Sequence, residues 1–315
     1  MTLDLDQSKT YPPRGKIDQG DLKELNMSQL TLFVIIDPTI EQQPALVRAA
    51  DIANIAGGHI HVFCAVYEDD LSRYASRRDA KYKVRHRAMD KVDKLIKPLV
   101  NDRVTVDTEV IWNENWYQSA AHACARVGAD IMIKSTFGHA KSLGGLRNRS
   151  DYYLLRHVSC PVLLTQSTKP CRYQRVLAAI AIEDSDHLHD DLNNSVISNA
   201  RRICRMTGGE LHVVAALEGS PDIADLLNFL IDDDDDDDES LSAEQMINLR
   251  FGIEAGKVHL EHGSAKQVIV ETVKQTEPQL LVMGTVARVG ISAAVIGNTC
   301  EKVLDQLSID ILTIN

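Results

Sequence analysis

The chain has 315 residues, which is enough for two domains that each bury a core of their own. Its hydrophobic content of 44% and charged content of 25% are typical of globular proteins, and no apolar run is long enough to span a membrane. The net charge of −11 comes mostly from eight consecutive acids, Asp232 to Glu239. The rest of the chain is nearly neutral and has no basic stripe to neutralise phosphates along a duplex, which disfavours direct nucleic-acid binding.

Residues 1–29 are polar, contain Pro and Gly, and lack the apolar core that a signal peptide needs. We therefore expect a disordered N-terminal arm, with Met27 as an alternative start, and a cytoplasmic location. The six cysteines lie far apart without a Cys-x-x-Cys motif. We expect them to be reduced and mostly buried.

The first strand is predicted at LFVIIDPT, 32–39, a short apolar run typical of buried parallel strands. In AADIANIAGGHIHVFCAV, 49–66, a helical pattern ends at Gly57 and a second strand follows at once. Further patterns alternate after it: an amphipathic helix over 84–96, then strands at GADIMIKST, 128–136, and SCPVLLTQ, 159–166. Strands alternating with helices indicate a parallel sheet covered on both faces.

The same segments return in the same order in the second half of the chain. They are VLAAIAIE at 176–183, ARRICRMTGGELHVVAAL at 200–217, EPQLLVMGT at 277–285 and SIDILTIN at 308–315. Four matches at a spacing close to 149 residues indicate an internal duplication. The polar segment 167–174 separates the copies, so we predict domains over 30–168 and 169–315 that dock as a pseudo-twofold pair.

Three stretches of sequence carry a family resemblance. GTVARVGISAAVIGNTCEKVLDQLSIDILTIN at 284–315, VIIDP followed by QPAL near the start, and LLRHVSCPVLL at the end of the first copy resemble the universal stress protein family. The resemblance covers residues 30–315. It implies two tandem Rossmann-like domains of the adenine nucleotide α-hydrolase type, each with five parallel strands, paired through their last strands. It also implies a response to starvation, oxidative or DNA-damaging stress.

Nucleotide-binding members of this family carry the motif G-x-x-G, nine residues, then G-S or G-T, together with an Asp after the first strand. Glycines let a turn approach the phosphates, and the helix that follows offers free N–H groups to the anion. In the second copy Ala287 replaces one glycine and Ala181 replaces the Asp. The residues that could still form a site there are Gly284, Thr285, Arg288, Gly297, Asn298 and Thr299.

The first copy departs further from the motif. Asp37 and Gly138 are retained, but Ser135 replaces the first glycine and Asn148-Arg149 replaces Gly-Ser/Thr. The resemblance therefore implies ATP binding only as an alternative, and only in domain 2. Our main expectation is a protein that binds a small-molecule or protein ligand and does not catalyse a reaction, either as the single chain or as a homodimer. A slowly hydrolysing ATP switch is the alternative.

Two further features have a chemical and a structural interpretation. His187 and His189 lie among acids and are weak candidates for a metal site, but acids also commonly stabilise a helix N-terminus. The seven-aspartate run, 232–238, lacks the spaced ligands of a calcium loop and is typical of a solvated loop. No hydrolase, protease or P-loop motif is present in the sequence, so no enzyme class is indicated.

Overall fold

The fold is described from a computed structural model over residues 30–136, 149–169, 171–182, 187–217, 243–285 and 298–315. The predicted N-terminal arm and the acidic run lie outside the described residues, so these two predictions stay untested. Among the described helices, none combines the length and the apolar character needed to cross a membrane.

The first half alternates strands and helices from residue 31 onward. Its elements are β1 (Thr31–Ile36), α1 (Pro44–Ala56), β2 (Gly58–Val66), α2 (Arg77–Ile96), β3 (Val104–Trp112), α3 (Trp116–Val127), β4 (Ile131–Ser135), α4 (Arg149–His157) and β5 (Val162–Thr165). The strands β1, β2, β4 and β5 have mostly buried residues, because helices cover both faces of the sheet, whereas the edge strand β3 is mostly half-buried or exposed.

The second half repeats this succession. Its elements are β6 (Arg175–Ala179), α5 (His187–Thr207), β7 (Glu210–Leu217), α6 (Ala243–Phe251), β8 (Val258–His262), α7 (Ala265–Thr276), β9 (Leu280–Gly284), α8 (Asn298–Gln306) and β10 (Asp310–Ile314). All four repeated strand segments that the sequence predicts are strands in both halves.

All ten strands join one sheet, in the order β3-β2-β1-β4-β5-β10-β9-β6-β7-β8. Neighbours within each half are parallel, and β5 pairs with β10 in antiparallel register, with Leu163 opposite Leu312. Each half is therefore a five-stranded parallel sheet, and the two are joined through their last strands, as the family resemblance implies. The predicted fold class is confirmed.

Two apolar layers hold the helices against the sheet. One layer packs α1, α2, α5 and α6 on the first face through residues such as Ala49, Val92 and Ala200. The other packs α3, α4, α7 and α8 on the second face through residues such as Cys124, Leu154 and Val303. Both layers contain residues from both halves, so the cores continue across the β5–β10 seam.

The cysteines are consistent with the sequence prediction. All six are free, and only Cys171 is not buried. The structure adds one contact that spacing did not indicate: the Sγ atoms of Cys124 and Cys160 lie 3.5 Å apart.

A buried polar cluster also crosses the seam. Arg48 on α1 is 2% exposed, and its Nε donates to Asp310 on β10 at 2.5 Å. The hydroxyl of Tyr173 donates to the same carboxylate oxygen at 2.8 Å. Burial, followed by the negative charge of Asp310, raises the pKa of Tyr173 well above its ordinary value, so the phenol keeps its proton. This cluster ties the first helix of one half to the last strand of the other.

Candidate functional site at the two switch points

The strand order reverses between β1 and β4 in the first half and between β6 and β9 in the second. In open parallel α/β sheets, ligands bind in the crevice at the carboxyl ends of the strands, at this reversal. The residues after β1, β4, β6 and β9 therefore define the candidate site of each half.

In the first half, Asp37 follows β1 and is engaged within its own turn. Its Oδ1 accepts hydrogen bonds from the backbone N–H of Thr39 at 2.8 Å and from the Thr39 hydroxyl at 2.6 Å. The buried amide of Gln43 closes the turn: its Nε2 donates to the carbonyl of Asp37, and its Oε1 accepts from the N–H of the same residue. The loop after β1 is thus fixed by internal bonds.

Ser135 ends β4 at the position of the first motif glycine. Its hydroxyl oxygen accepts the N–H of Ala45, in the first turn of α1, at 2.9 Å. This bond satisfies an N–H that a ligand would otherwise find at the helix N-terminus. Gly138 lies outside the described residues, and Arg149 begins α4, with its side chain not described.

A buried ion pair lies beside this crevice and was not predicted from the sequence. Lys134 Nζ on β4 is 2.6 Å from Asp151 on α4, and both side chains are largely shielded from solvent. The same ammonium lies 5.8 Å from the ring centre of Trp116. A Lys in the middle of an apolar strand pattern, followed 17 residues later by an acid, gives no signal of this pairing.

In the second half, Gly284 ends β9 where the motif predicts a glycine. A Cβ at this position would lie 2.5 Å from Cδ2 of Leu192 on α5, so the glycine allows close packing of helix and strand. Thr285 is buried, and its hydroxyl contacts the end of the chain: it donates to Asn315 Oδ1 at 2.6 Å, and it lies 3.2 Å from the carbonyl of Ile314. Gly284 therefore has a role in packing, and the Thr285 hydroxyl already has a hydrogen-bond partner within the protein.

The loop after β6 is closed by an amide, as in the first half. Asn193 Nδ2 donates to the carbonyl of Ala181 at 2.7 Å, and Asn193 Oδ1 accepts the N–H of Ala181 at 3.0 Å. Asn193 is 3% exposed. Gln43 and Asn193 are thus equivalent clamps that sequence reasoning missed. Gln43 directly precedes α1 and Asn193 lies within α5, so their signal would have been an amide at or near the first helix of each copy.

The structure describes only some of the remaining predicted residues. Arg288 and Gly297 lie outside the described residues. Asn298 is the first residue of α8 and Thr299 is half-buried in its first turn, while the Asn298 side chain is not described. His187 and His189 lie in the first turn of α5, and their side chains are also not described.

An apolar pocket lies at the opposite ends of the strands, on the seam between the halves. It lies between α1 and α5, over the starts of β4 and β9. Its lining includes Ile55, Met206, Leu280 and Leu312. Because both halves contribute to it, the pattern of either copy alone does not predict it.

The division of the chain into two similar halves agrees with a comparison against known families. The model of the universal stress protein family matches residues 31–166 and again residues 172–315. The chain belongs to the universal stress protein family. It is a tandem member, with one family domain in each half.

Known universal stress proteins resemble the chain along most of its length. It is 27% identical over 293 residues to universal stress protein E of Escherichia coli K12, covering 90% of this chain and 93% of the relative. It is 26% identical to the universal stress protein E homolog of Haemophilus influenzae, with coverages of 90% and 96%.

Solved structures give the same result. A putative universal stress protein from Pseudomonas aeruginosa UCBPP-PA14 superposes with a TM-score of 0.71 at 26% identity, covering 91% of this chain and 93% of that one. A universal stress protein from Archaeoglobus fulgidus superposes with a TM-score of 0.64 at 16% identity, covering 90% and 96%, which supports the fold alone.

Proposed function

We propose that this universal stress protein acts in the cytoplasm by binding a small-molecule or protein ligand, without catalysing a reaction. Its role in this proposal is to support survival under starvation, oxidative or DNA-damaging stress. The tandem family architecture and the similarity to proteins named universal stress protein E support the general stress-response part.

The observation that carries the binding role is the state of the polar groups at the two switch points. Asp37 is bonded to Thr39, the Ser135 hydroxyl oxygen accepts an N–H from α1, and Thr285 contacts the chain end. A general base or nucleophile must be within hydrogen-bond reach of its substrate and must have a partner that activates it. In the described residues of both crevices, these three groups are instead held by partners within the protein, which supports a role in binding over one in catalysis.

A second candidate function, the ATP switch, is favoured by the start of α8. This helix begins at Asn298, directly after Gly297, where the family motif positions a phosphate against a helix N-terminus. The first N–H groups of an α-helix in general lack carbonyl partners within the helix, which makes a helix start suited to an anion. Against it, Ala181 replaces the Asp, and its backbone N–H and carbonyl are both bonded to Asn193.

Isothermal titration of the full chain with ATP and Mg²⁺ separates the two candidates. We expect no heat of binding at millimolar ATP. Submicromolar affinity would contradict the main proposal and support the switch, and a phosphate-release assay would then measure turnover. If ATP binds, Gly297→Asp places a negative charge at the helix N-terminus and should abolish binding. Gly256→Asp, an equal change of charge at an exposed turn, is the matched control and should not affect it.

The physiological part needs a separate test. A strain from which the gene is deleted should survive starvation, peroxide or DNA damage less well than its parent, and the wild-type gene should restore survival. Equal survival of both strains under all three conditions would contradict the stress-response role. The Gly297→Asp gene should also restore survival if the protein works without ATP.

A further inference from the structure

Two histidines and an aspartate converge at the outer edge of the first half, away from both switch points. His59 and His61 alternate on β2 and so project from the same face of the sheet. Asp107 on the edge strand β3 is directly opposite His61 in the parallel register. In the described part of the chain, these three are the one group of His, Cys, Asp or Glu residues whose ligand atoms all lie within 4.8 Å of one another.

The ring nitrogens of both histidines face a single oxygen. His59 Nε2 lies 2.9 Å and His61 Nδ1 2.8 Å from Oδ1 of Asp107. Zn²⁺ bound to His nitrogen and carboxylate oxygen has bond lengths of about 2.0–2.2 Å, so its ligands stand roughly 3.3–3.5 Å apart in a tetrahedron. Each of these two nitrogen–oxygen distances therefore needs to lengthen by only about half an ångström to admit the ion. Asp107 is 55% exposed, which leaves it free to move by this amount.

The second nitrogen of each ring also has an oxygen partner. His59 Nδ1 lies 3.0 Å from the Thr105 hydroxyl, and His61 Nε2 lies 3.4 Å from Oε2 of Glu109. Glu109 is in turn held by Arg126 at 2.5 Å. Metal-bound histidines almost always donate their other N–H to such an oxygen, which fixes the tautomer and the direction of the ring. With that proton in place, the nitrogens that face Asp107 carry lone pairs.

The surroundings of His61 give a further reason for a cation. This side chain is 6% exposed, and its ring is stacked on that of Phe33 with the ring centroids 5.3 Å apart. It lies between the carboxylates of Asp107 and Glu109. One N–H of a neutral imidazole can satisfy only one of these carboxylates. The other nitrogen of a neutral ring then directs a lone pair towards a carboxylate, and a metal ion between them would bind both.

We propose that His59, His61 and Asp107 form a Zn²⁺ site with three protein ligands and a fourth position open to solvent. Two imidazole nitrogens and one carboxylate oxygen are a ligand set that suits Zn²⁺ better than Mg²⁺ or Ca²⁺, which prefer oxygen ligands. His59 is 30% exposed and Asp107 is more exposed still, so the ion has a route from solvent and room for a bound water.

The second half has two neighbouring histidines on the equivalent strands β7 and β8, and this pair can be compared with the proposed site. His212 Nδ1 lies 3.1 Å from His259 Nε2, but the carboxylate of Glu210 is 3.8 Å away, from the other nitrogen of His212. Burial, followed by the charges of His259 and Arg175, lowers the pKa of His212. This pair has two nitrogens but no carboxylate oxygen between them, so we expect it to bind no zinc.

The test uses the full-length chain freed of metal by a chelator that is then removed. Zn²⁺ is titrated by calorimetry and by competition with a chromophoric chelator, with millimolar Mg²⁺ present to occupy acidic segments. Co²⁺ serves as a spectroscopic probe of tetrahedral nitrogen and oxygen ligation. We expect one zinc per chain, and a loss of affinity of at least about tenfold in His59→Gln and in Asp107→Asn. Both side chains are partly exposed, and circular dichroism checks that the variants fold.

His212→Gln is the matched control and should bind zinc like the wild type, as should His187→Ala. The proposal is overturned if the wild type binds no zinc at 100 μM, or if His59→Gln and Asp107→Asn bind it as tightly as the wild type does. Loss of the site in His212→Gln or His187→Ala would also overturn it, because the ion would then lie elsewhere.

Discussion

A pair of glycines follows the first helix of each half, Gly57-Gly58 after α1 and Gly208-Gly209 after α5. Gly57 and Gly208 have positive φ angles of 74° and 72°, which only glycine adopts without strain. The second glycine of each pair has a different reason. A Cβ at Gly58 would lie 2.5 Å from the carbonyl oxygen of Leu30, and one at Gly209 would overlap the carbonyl oxygen of Tyr173. The helix stop was predicted from the sequence, but this close approach of two backbone segments was not.

Gly209→Ala should destabilise the fold by about 3 kcal/mol, because a backbone carbonyl, unlike a side chain, cannot rotate away from the added methyl group. Chemical denaturation of the full chain measures this change. Gly256→Ala is the control, since a Cβ there meets nothing within 4 Å, and it should change stability by less than about 0.5 kcal/mol. Equal stability of the two variants would contradict the packing argument.

The buried Arg48–Asp310 pair gives a second prediction for single residues. Arg48→Ala leaves the carboxylate of Asp310, which is 4% exposed, without its cation and should cost about 3–5 kcal/mol. Thermal and urea unfolding measure the loss. Lys83→Ala removes an exposed pair with Asp79 on α2 and should cost less than about 1 kcal/mol. A small effect of Arg48→Ala would mean that water or another cation compensates Asp310.

Strands β7 and β8 show how neighbouring elements determine a protonation equilibrium. The sequence predicted β7 from the repeat, but the four repeated segments do not include β8. His212 and His259 therefore had no apparent relation. The parallel register brings their rings together, stacked with centroids 5.3 Å apart. Burial lowers the pKa of both, and the positive charge of Arg175 adds to this in each case.

The sign of the resulting pH dependence follows from these shifts. Because both folded-state pKa values lie below the ordinary 6.5, the unfolded chain binds more protons as the pH falls through that value. The free energy of unfolding should therefore decrease below about pH 6.5, by at most about 1.4 kcal/mol per pH unit for each histidine. His212→Gln/His259→Gln should flatten the profile between pH 7 and 5. An unchanged profile would show that other groups cause the dependence.

The whole molecule depends on the seam between β5 and β10. The duplication itself was evident from the sequence, whereas the union of both copies in one ten-stranded sheet required the structure or the family resemblance. At this seam Leu163 pairs with Leu312, and the Thr313 hydroxyl donates to the carbonyl of Val162 at 3.1 Å. Without the second half, the edge of β5 would expose the backbone N–H and carbonyl groups that now pair with β10.

Residues 30–168 expressed alone should therefore self-associate through β5, because an unpaired and apolar edge strand promotes pairing with another chain. Light scattering coupled to size-exclusion chromatography measures the mass, with the full chain as the control. Circular dichroism establishes whether the fragment folds. A folded fragment that stays monomeric at high micromolar concentration would show that the seam is not needed to protect the edge.

The sequence by itself determined the duplication, the alternation of strands and helices, and the loss of motif glycines at 135 and 287. The duplication is visible as matching segments, the elements as hydrophobic periodicity, and the lost glycines as residue identities at positions of the family motif. None of these features requires knowledge of a contact between distant residues. Tertiary structure alone decided which polar side chains meet. Arg48 and Asp310 are 262 positions apart, and His61 is 46 positions from Asp107. Such pairs depend on strand order and register, which periodicity within a segment does not encode.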